Sequence, residues 1–200
     1  MVTASRPADS ESGRERITAV AAELFLRRGY AQTSLRDIAA GAGIKAGSIY
    51  YYFDSKESLL IEILERGITV MEEAFRVAER ASAGTDGARR IRAHVGGHLS
   101  ALFEHGPYTA NHVSAFHIAP TSVQDAIIPA RDRYEDLWVG LFEDLREAGE
   151  MDPGRPPGLS RLALFGAMNF AVEWFDASRG NVDELADVIA NQFWTGVRFR

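Results

Sequence analysis

From Arg14 to the C-terminus the apolar residues recur every three or four positions, and no run alternates with a period of two. A chain patterned this way is restricted to helices packed on helices. Ile17, Ala21, Leu24 and Phe25 begin the pattern, and Gly29 ends it after Arg27 and Arg28, cations suited to a helix C-terminus. The spacing predicts a helix over 13–28. A second, short helix is predicted from Ser34, an N-cap with Asp37 three residues on, to the glycines Gly41 and Gly43. The stretch "KAGSIYYY" predicts another short helix, and Ser55 starts a long one that runs to about Ser82 across a tolerable Gly67. Further helices are predicted over 88–104, 108–116, 122–148, 159–178 and 182–197. Pro129 should kink the third of these, and "GEMDPGRPPG" is the strongest loop signal.

At 200 residues and 46% hydrophobic composition there is ample material for a core without staples. The absence of cysteine excludes disulfides, thiolate metal sites and thiol nucleophiles. No apolar stretch approaches the roughly 18 residues of a membrane span, and the N-terminus lacks an apolar leader. The expectation is a soluble, cytoplasmic protein without a membrane partner. The net charge of −6 is unevenly distributed: through Arg66 there are nine Lys or Arg against nine Asp or Glu, and thereafter thirteen against nineteen. That asymmetry suggests two units with different partners.

Both lysines of the chain, Lys45 and Lys56, flank three consecutive tyrosines and Phe53. Two short helices joined by a tight, glycine-containing turn within about 20 residues are what a helix-turn-helix requires. Its second helix can enter a DNA major groove only with a thin leading face, which Ala46, Gly47 and Ser48 supply. Ile49 and Phe53 are spaced to face inward, Tyr50 and Tyr51 can reach the backbone or bases, and Lys45, Lys56 and Arg36 are placed as contacts.

The segment "AQTSLRDIAAGAGIKAGSIYYYFDSKESLL" resembles the DNA-binding segment of the TetR family of bacterial transcriptional regulators. The markers are Thr33, Ser34, Arg36, Asp37, Ile38, Ala39, Ala42, Gly43, Gly47, Ser48, Tyr50, Phe53, Lys56, Glu57 and Leu59. The resemblance implies an all-α, TetR-like homodimer in three parts: a flexible arm (1–12), a helix-turn-helix domain (13–60), and a helical ligand-binding and dimerisation domain (61–200). Carried over by position, it implies phosphate contacts from Ser34 and Lys56. Arg36, Ala46, Gly47 and Ser48 would approach base edges, and Tyr50 and Tyr51 the backbone. Thr33 and Lys45 complete the DNA-binding set. The chain departs from the family pattern at Lys45 and Ala46, where a serine and then a lysine are common, so the usual helix cap is missing and the cation is displaced by one position.

In the second unit, candidate ligand-binding residues are Phe75, His98, Phe103, His112, Phe116, Tyr134, Trp138, Phe142, Phe165, Asn169 and Trp174. The same rings could equally be plain core, whereas Asn169 is a polar residue in an apolar run. Leu162, Phe165, Gly166 and Phe170, with Leu185, Val188, Ile189 and Phe193, give two helical faces suited to a four-helix dimer interface. The C-terminal stretch also resembles that of TetR-family repressors of lipid or steroid breakdown, which respond to acyl-coenzyme A. On that likeness Arg89, Arg90, Arg92 or Arg131 would meet the nucleotide phosphates. His94 and His98 stand four apart in a cluster that extends to His117, a spacing compatible with a metal.

The sequence therefore reads as a repressor that binds double-stranded DNA at a palindromic operator and is released by a small apolar or acyl-CoA-like effector. No cofactor and no catalytic residue is called for. The alternatives are a metal-responsive regulator or small metal-dependent enzyme using the His94–His117 cluster, and a constitutive DNA-binding protein without effector.

Overall fold

The computed structural model describes residues 7–199, with side chains from Ser12 onward. Helix α1 (Pro7–Arg28) is followed by α2 (Leu35–Gly41), a 3-10 segment (Ala46–Tyr51) and the long α3 (Lys56–Ser82). Then come α4 (Gly87–Glu104), α5 (Gly106–Ser114), a 3-10 turn (Phe116–Ile118), α6 (Thr121–Glu147), α7 (Pro157–Asn169), α8 (Ala171–Trp174) and α9 (Val182–Val197). The described residues contain no strand beyond one isolated bridge between Met151 and Arg198. None of their helices is long and apolar enough to cross a membrane.

Three boundaries differ from the sequence reading. The arm expected over 1–12 is helical from Pro7, and residues 1–6 lie outside the described residues. Residues 46–51 wind as a 3-10 rather than an α-helix. Their N-cap, Lys45, makes no side-chain capping bond, and Ser48 N–H reaches back three residues to Lys45 O at 2.8 Å. The helix expected over 159–178 ends at Asn169. Further on, the Asp176 side chain accepts from Ser178 N–H, and its carbonyl accepts from Arg179 and Gly180, giving the backbone an alternative to helix.

Helix α3 organises the fold, packing against α1, α4, α5 and α6. Ser55 caps it reciprocally with Ser58. Its Leu59, Leu60, Ile63 and Leu64 are fully buried on the side of α1, and Ile68, Met71 and Phe75 continue the same stripe into the body. Each such side chain stabilises the fold by about 1.5–3 kcal/mol. Helix α5 crosses α3 so closely at Gly67 that a Cβ there would lie 2.6 Å from Tyr108 O and 3.1 Å from His112 Cβ. Asn111, fully buried on α5, donates from Nδ2 to Ala22 O of α1 at 2.8 Å.

An exposed helix interior gains about 1 kcal/mol from Gly→Ala, but at Gly67 the close approach reverses the sign. Gly67→Ala is expected to destabilise by about 1–3 kcal/mol. A urea melt checks this; a stabilised variant would mean that α5 does not press on α3.

Candidate functional site

The head of the molecule is a helix-turn-helix built from short-range bonds. Ser34 and Asp37 form a full capping box at the start of α2, and the bonds from Ser34 hold the Asp37 carboxyl below its ordinary range. Gly43, at φ +68°, makes the turn out of α2, where a side chain would be strained. The 3-10 segment then lies on the core through Ile49 and Phe53, which are buried. That anchoring turns Lys45, Ala46, Gly47 and Ser48 outward, together with Tyr50 (61% exposed) and Tyr51 (92%). Arg36 is also exposed. A Cβ added to Gly47 would meet nothing within 4 Å among the described residues, and its φ is not positive.

Two candidate contacts are placed differently. Thr33 is buried, its Oγ1 donating to Gly29 O at 3.0 Å, so its side chain does not face DNA. Lys56 turns inward: Nζ donates to Tyr30 O at 3.0 Å and Thr33 O at 3.1 Å, and stands 4.1 Å over the Tyr30 ring. It clamps the loop before α2 onto α3. The Tyr30 hydroxyl donates to Glu57, and burial together with that carboxylate pushes its pKa up. The sequence reading did not single out Arg14, which ties α1 to the recognition element. Its guanidinium donates to Tyr52 O at 2.6 Å, pairs with Glu62 and covers the Phe53 ring at 4.2 Å.

In the body, most of the proposed ligand-binding rings are packed solid. Trp138 lies 5.5 Å from Phe75, 6.3 Å from Phe142 and 5.6 Å from Phe165 between ring centroids, and is itself fully buried. Phe103 packs on Phe175, whereas Trp174 is 57% exposed. The histidines do not converge on a metal. His94 Nδ1 meets Arg90 O at 2.7 Å and its Nε2 meets Glu79. His98 Nδ1 meets the Tyr134 hydroxyl at 2.8 Å and its Nε2 meets Asn169 Oδ1 at 2.9 Å. His112 is buried, whereas His105 and His117 are exposed. Among the described residues no group of three His, Cys, Asp or Glu could hold a metal ion.

A cavity of about 550 Å³ opens beside this core, under α7. Phe165, Gly166, Asn169 and Phe170 form one wall, Arg131, Glu135 and Arg161 a charged cluster, and His117 and Glu173 also line the opening. Arg161 Nη1 bonds Glu135 at 2.7 Å, with Arg131 3.6 Å from the other carboxylate oxygen. Arg131 also lies 4.1 Å over the Phe116 ring, and burial draws its pKa down. Two guanidiniums thus share one carboxylate, and the buried Arg161 Nε has no hydrogen-bond partner among the described residues. Guanidinium donors of this kind can meet an acceptor-bearing group. Of the arginines proposed for this role, Arg89 is paired to Asp86, Arg90 to Glu79 and Asp144, and Arg92 to Asp183 and Asp187. Only Arg131 of that set reaches the cavity. Arg161 and Glu135 were missed because their meeting depends on how α6 and α7 cross, although Arg131 and Glu135 stand four apart.

Leu162, Phe170 and Val188 are 52–64% exposed on α7 and α9 or at their ends. Behind them Ile189 and Phe193 are half-buried, while Phe165 and Leu185 are buried.

A helix-turn-helix head on an all-helical body with its own cavity defines a DNA-binding regulator with a separate sensing module. Residues 17–63 match bacterial regulatory proteins of the tetR family, and residues 84–197 match the tetracyclin repressor-like C-terminal domain. The chain is 30% identical over 193 residues to the HTH-type transcriptional repressor KstR2 of Rhodococcus jostii, covering 94% of this chain and 92% of that protein. The ketosteroid transcriptional regulator KstR2 of Mycobacterium tuberculosis has a similar structure, with a TM-score of 0.79 at 21% identity over 94% of this chain and 95% of that one. AibR, solved with isovaleryl coenzyme A and operator DNA, gives a TM-score of 0.79 at 22% identity over 90% and 97% of the two chains. The protein belongs to the tetR family of bacterial regulatory proteins.

The two lysines should separate in a salt titration of DNA binding. Lys45→Ala is expected to reduce the slope of log K against log salt by about 1. Lys56→Ala is expected to leave the slope unchanged while lowering stability by about 1–3 kcal/mol, because it strands two loop carbonyls. A reduced slope for Lys56→Ala would show that the amine leaves its carbonyls for a phosphate.

Burial holds the His98 and His112 pKa values down to about 4 and about 3. Both imidazoles therefore bind protons more readily in the unfolded chain, whose value is near 6.5. Stability present above pH 6.5 should be lost as pH falls towards 4, by on the order of 1 kcal/mol per pH unit for each imidazole. Thermal melts from pH 7.5 to 5 check this, and His112→Leu should flatten the profile.

Proposed function

We propose that this protein is a transcriptional repressor that binds a palindromic operator as a homodimer and is released by an amphipathic, anionic effector of the acyl-CoA type. Residues 13–60 form the DNA-binding domain, with Ser34, Arg36, Lys45, Ala46, Gly47, Ser48, Tyr50 and Tyr51 on the DNA side. Residues 61–200 form the sensing and dimerisation domain, with α7 and α9 at the dimer face.

The observation that carries the effector class is the pair of guanidiniums, Arg131 and Arg161, around one carboxylate at the end of a cavity with apolar walls. The charged end suits a phosphate or carboxylate, and the buried Phe165 suits an acyl portion. Family membership, and relatives described as repressors, support the DNA-binding part.

Release requires only that effector bind the DNA-free arrangement more tightly, and about 1.4 kcal/mol of coupling lowers operator affinity tenfold. At a hundred times its dissociation constant an acyl-CoA should add about 2.7 kcal/mol of stability, or roughly 5–10 °C in melting temperature. The same addition should dissociate the operator complex in a fluorescence anisotropy titration. Arg161→Met should weaken the thioester about tenfold or more, as expected for loss of a charged hydrogen bond. Thioesters that neither raise the melting temperature nor displace DNA would refute the effector assignment and leave the DNA-binding assignment standing.

A further inference from the structure

A buried relay runs from the core to the cavity wall. Tyr134 on α6 bonds His98 on α4, and His98 bonds Asn169 at the end of α7. Tyr134 and His98 are 2% and 3% exposed, so neither can turn to solvent for a substitute partner. The Tyr134 hydroxyl proton has one hydrogen-bond acceptor within reach among the described residues, His98 Nδ1. If Nδ1 carried the proton it would donate to the Tyr134 oxygen, and the phenol O–H would be left without its acceptor, which burial makes costly. The imidazole is therefore neutral with its proton on Nε2, in keeping with the depressed pKa that burial gives it.

That tautomer fixes the next residue. An Nε2–H donates, so it requires the oxygen of the Asn169 amide, and the observed partner is Oδ1 at 2.9 Å. The amide nitrogen is then turned to the opposite edge of the group. Asn169 is half-buried and lines the cavity, and no protein acceptor meets its NH2 among the described residues. The same cavity holds the unmet donor of Arg161 Nε.

We propose that Asn169 is the specificity-determining residue of this cavity, presenting an oriented N–H donor to a carbonyl oxygen of the effector, with His98 and Tyr134 as its positioning residues. The inference rests on the effector reading above and deepens it: the site selects for a carbonyl acceptor as well as for an anion and an apolar chain. An amide free to flip would serve donor or acceptor equally. Held by His98, it serves only as donor, so an effector must bring an acceptor.

The test compares carbonyl-bearing and carbonyl-free versions of one ligand. Saturated acyl-CoA thioesters from acetyl to hexadecanoyl are titrated calorimetrically into the full-length protein. The tightest is then compared with its S-alkyl-CoA thioether, which keeps the nucleotide and the chain but lacks the carbonyl. The wild type should prefer the thioester about tenfold, from one well-aligned hydrogen bond in a partly desolvated site. Asn169→Ala should bring that ratio to about one, the thioester losing more affinity than the thioether. Tyr134→Phe removes the proton that sets the tautomer and should reduce the ratio, which a purely structural role would not do. A preserved preference in Asn169→Ala, or equal binding of the two ligands by the wild type, would overturn this proposal and leave the effector class intact. Failure of every thioester to bind the wild type would overturn both. Should Asn169→Ala fold poorly, Asn169→Asp gives the same reading, because a carboxylate cannot donate to the carbonyl at neutral pH.

Discussion

Burial of one continuous apolar stripe along α3 is the constraint on which the rest of the molecule depends. The stripe begins at Leu59 and Leu60, which hold the head, and ends at Phe75, which meets Trp138 in the body. The head therefore has no independent seating: α1 and the recognition element lie on the first turns of the helix whose middle turns carry α5. Gly67 and Asn111 sharpen this coupling. One lets α5 approach α3 to van der Waals contact, and the other fastens α5 to the carbonyl of Ala22 on α1. A displacement of α5 is thus felt by both helices that support the recognition element. Interfaces packed this closely shift between discrete arrangements rather than deform gradually.

The polar groups of the body divide by whether their partners lie within the chain. Arg90 and Arg92 are tied to carboxylates on neighbouring helices and hold helix against helix. Around the cavity the pairing is incomplete among the described residues, with two guanidiniums on one carboxylate and the Asn169 amide bonded to His98 through its oxygen. Unmet donors near a buried surface are unfavourable in the empty protein, and the same deficit gives a ligand with acceptors its advantage. The distinction between structural and sensing polar residues thus follows from where each hydrogen bond ends.

Much of the helical layout and the helix-turn-helix was legible in the chain, because local interactions build both. The Ser34–Asp37 box, the Ser55 cap and the Gly43 turn are read within a few residues, and Ile49 and Phe53 take the inward positions their spacing implies. Asn169 was conspicuous as a polar residue among apolar ones. Lys56 was not legible as a clamp: a cation beside a DNA-binding motif suggests phosphate, and only the loop at Tyr30 and Thr33 shows where its amine goes. Nor could periodicity tell a filled core from a cavity. Phe75, Trp138 and Phe142 have the pattern of pocket-lining rings and pack against one another, whereas Glu135 and Arg161, 26 residues apart in sequence, meet because their helices cross there.

Selection of DNA from a random-sequence library by the purified protein bears most directly on the proposed repressor function. An inverted repeat should be enriched, with half-site centres one helical turn or a multiple apart, about 10–10.5 bp per turn. Substituting Ser48 should change the bases selected within each half-site while keeping the spacing. Enrichment of no sequence, or of a single unpaired half-site, would contradict a dimeric repressor with two recognition elements.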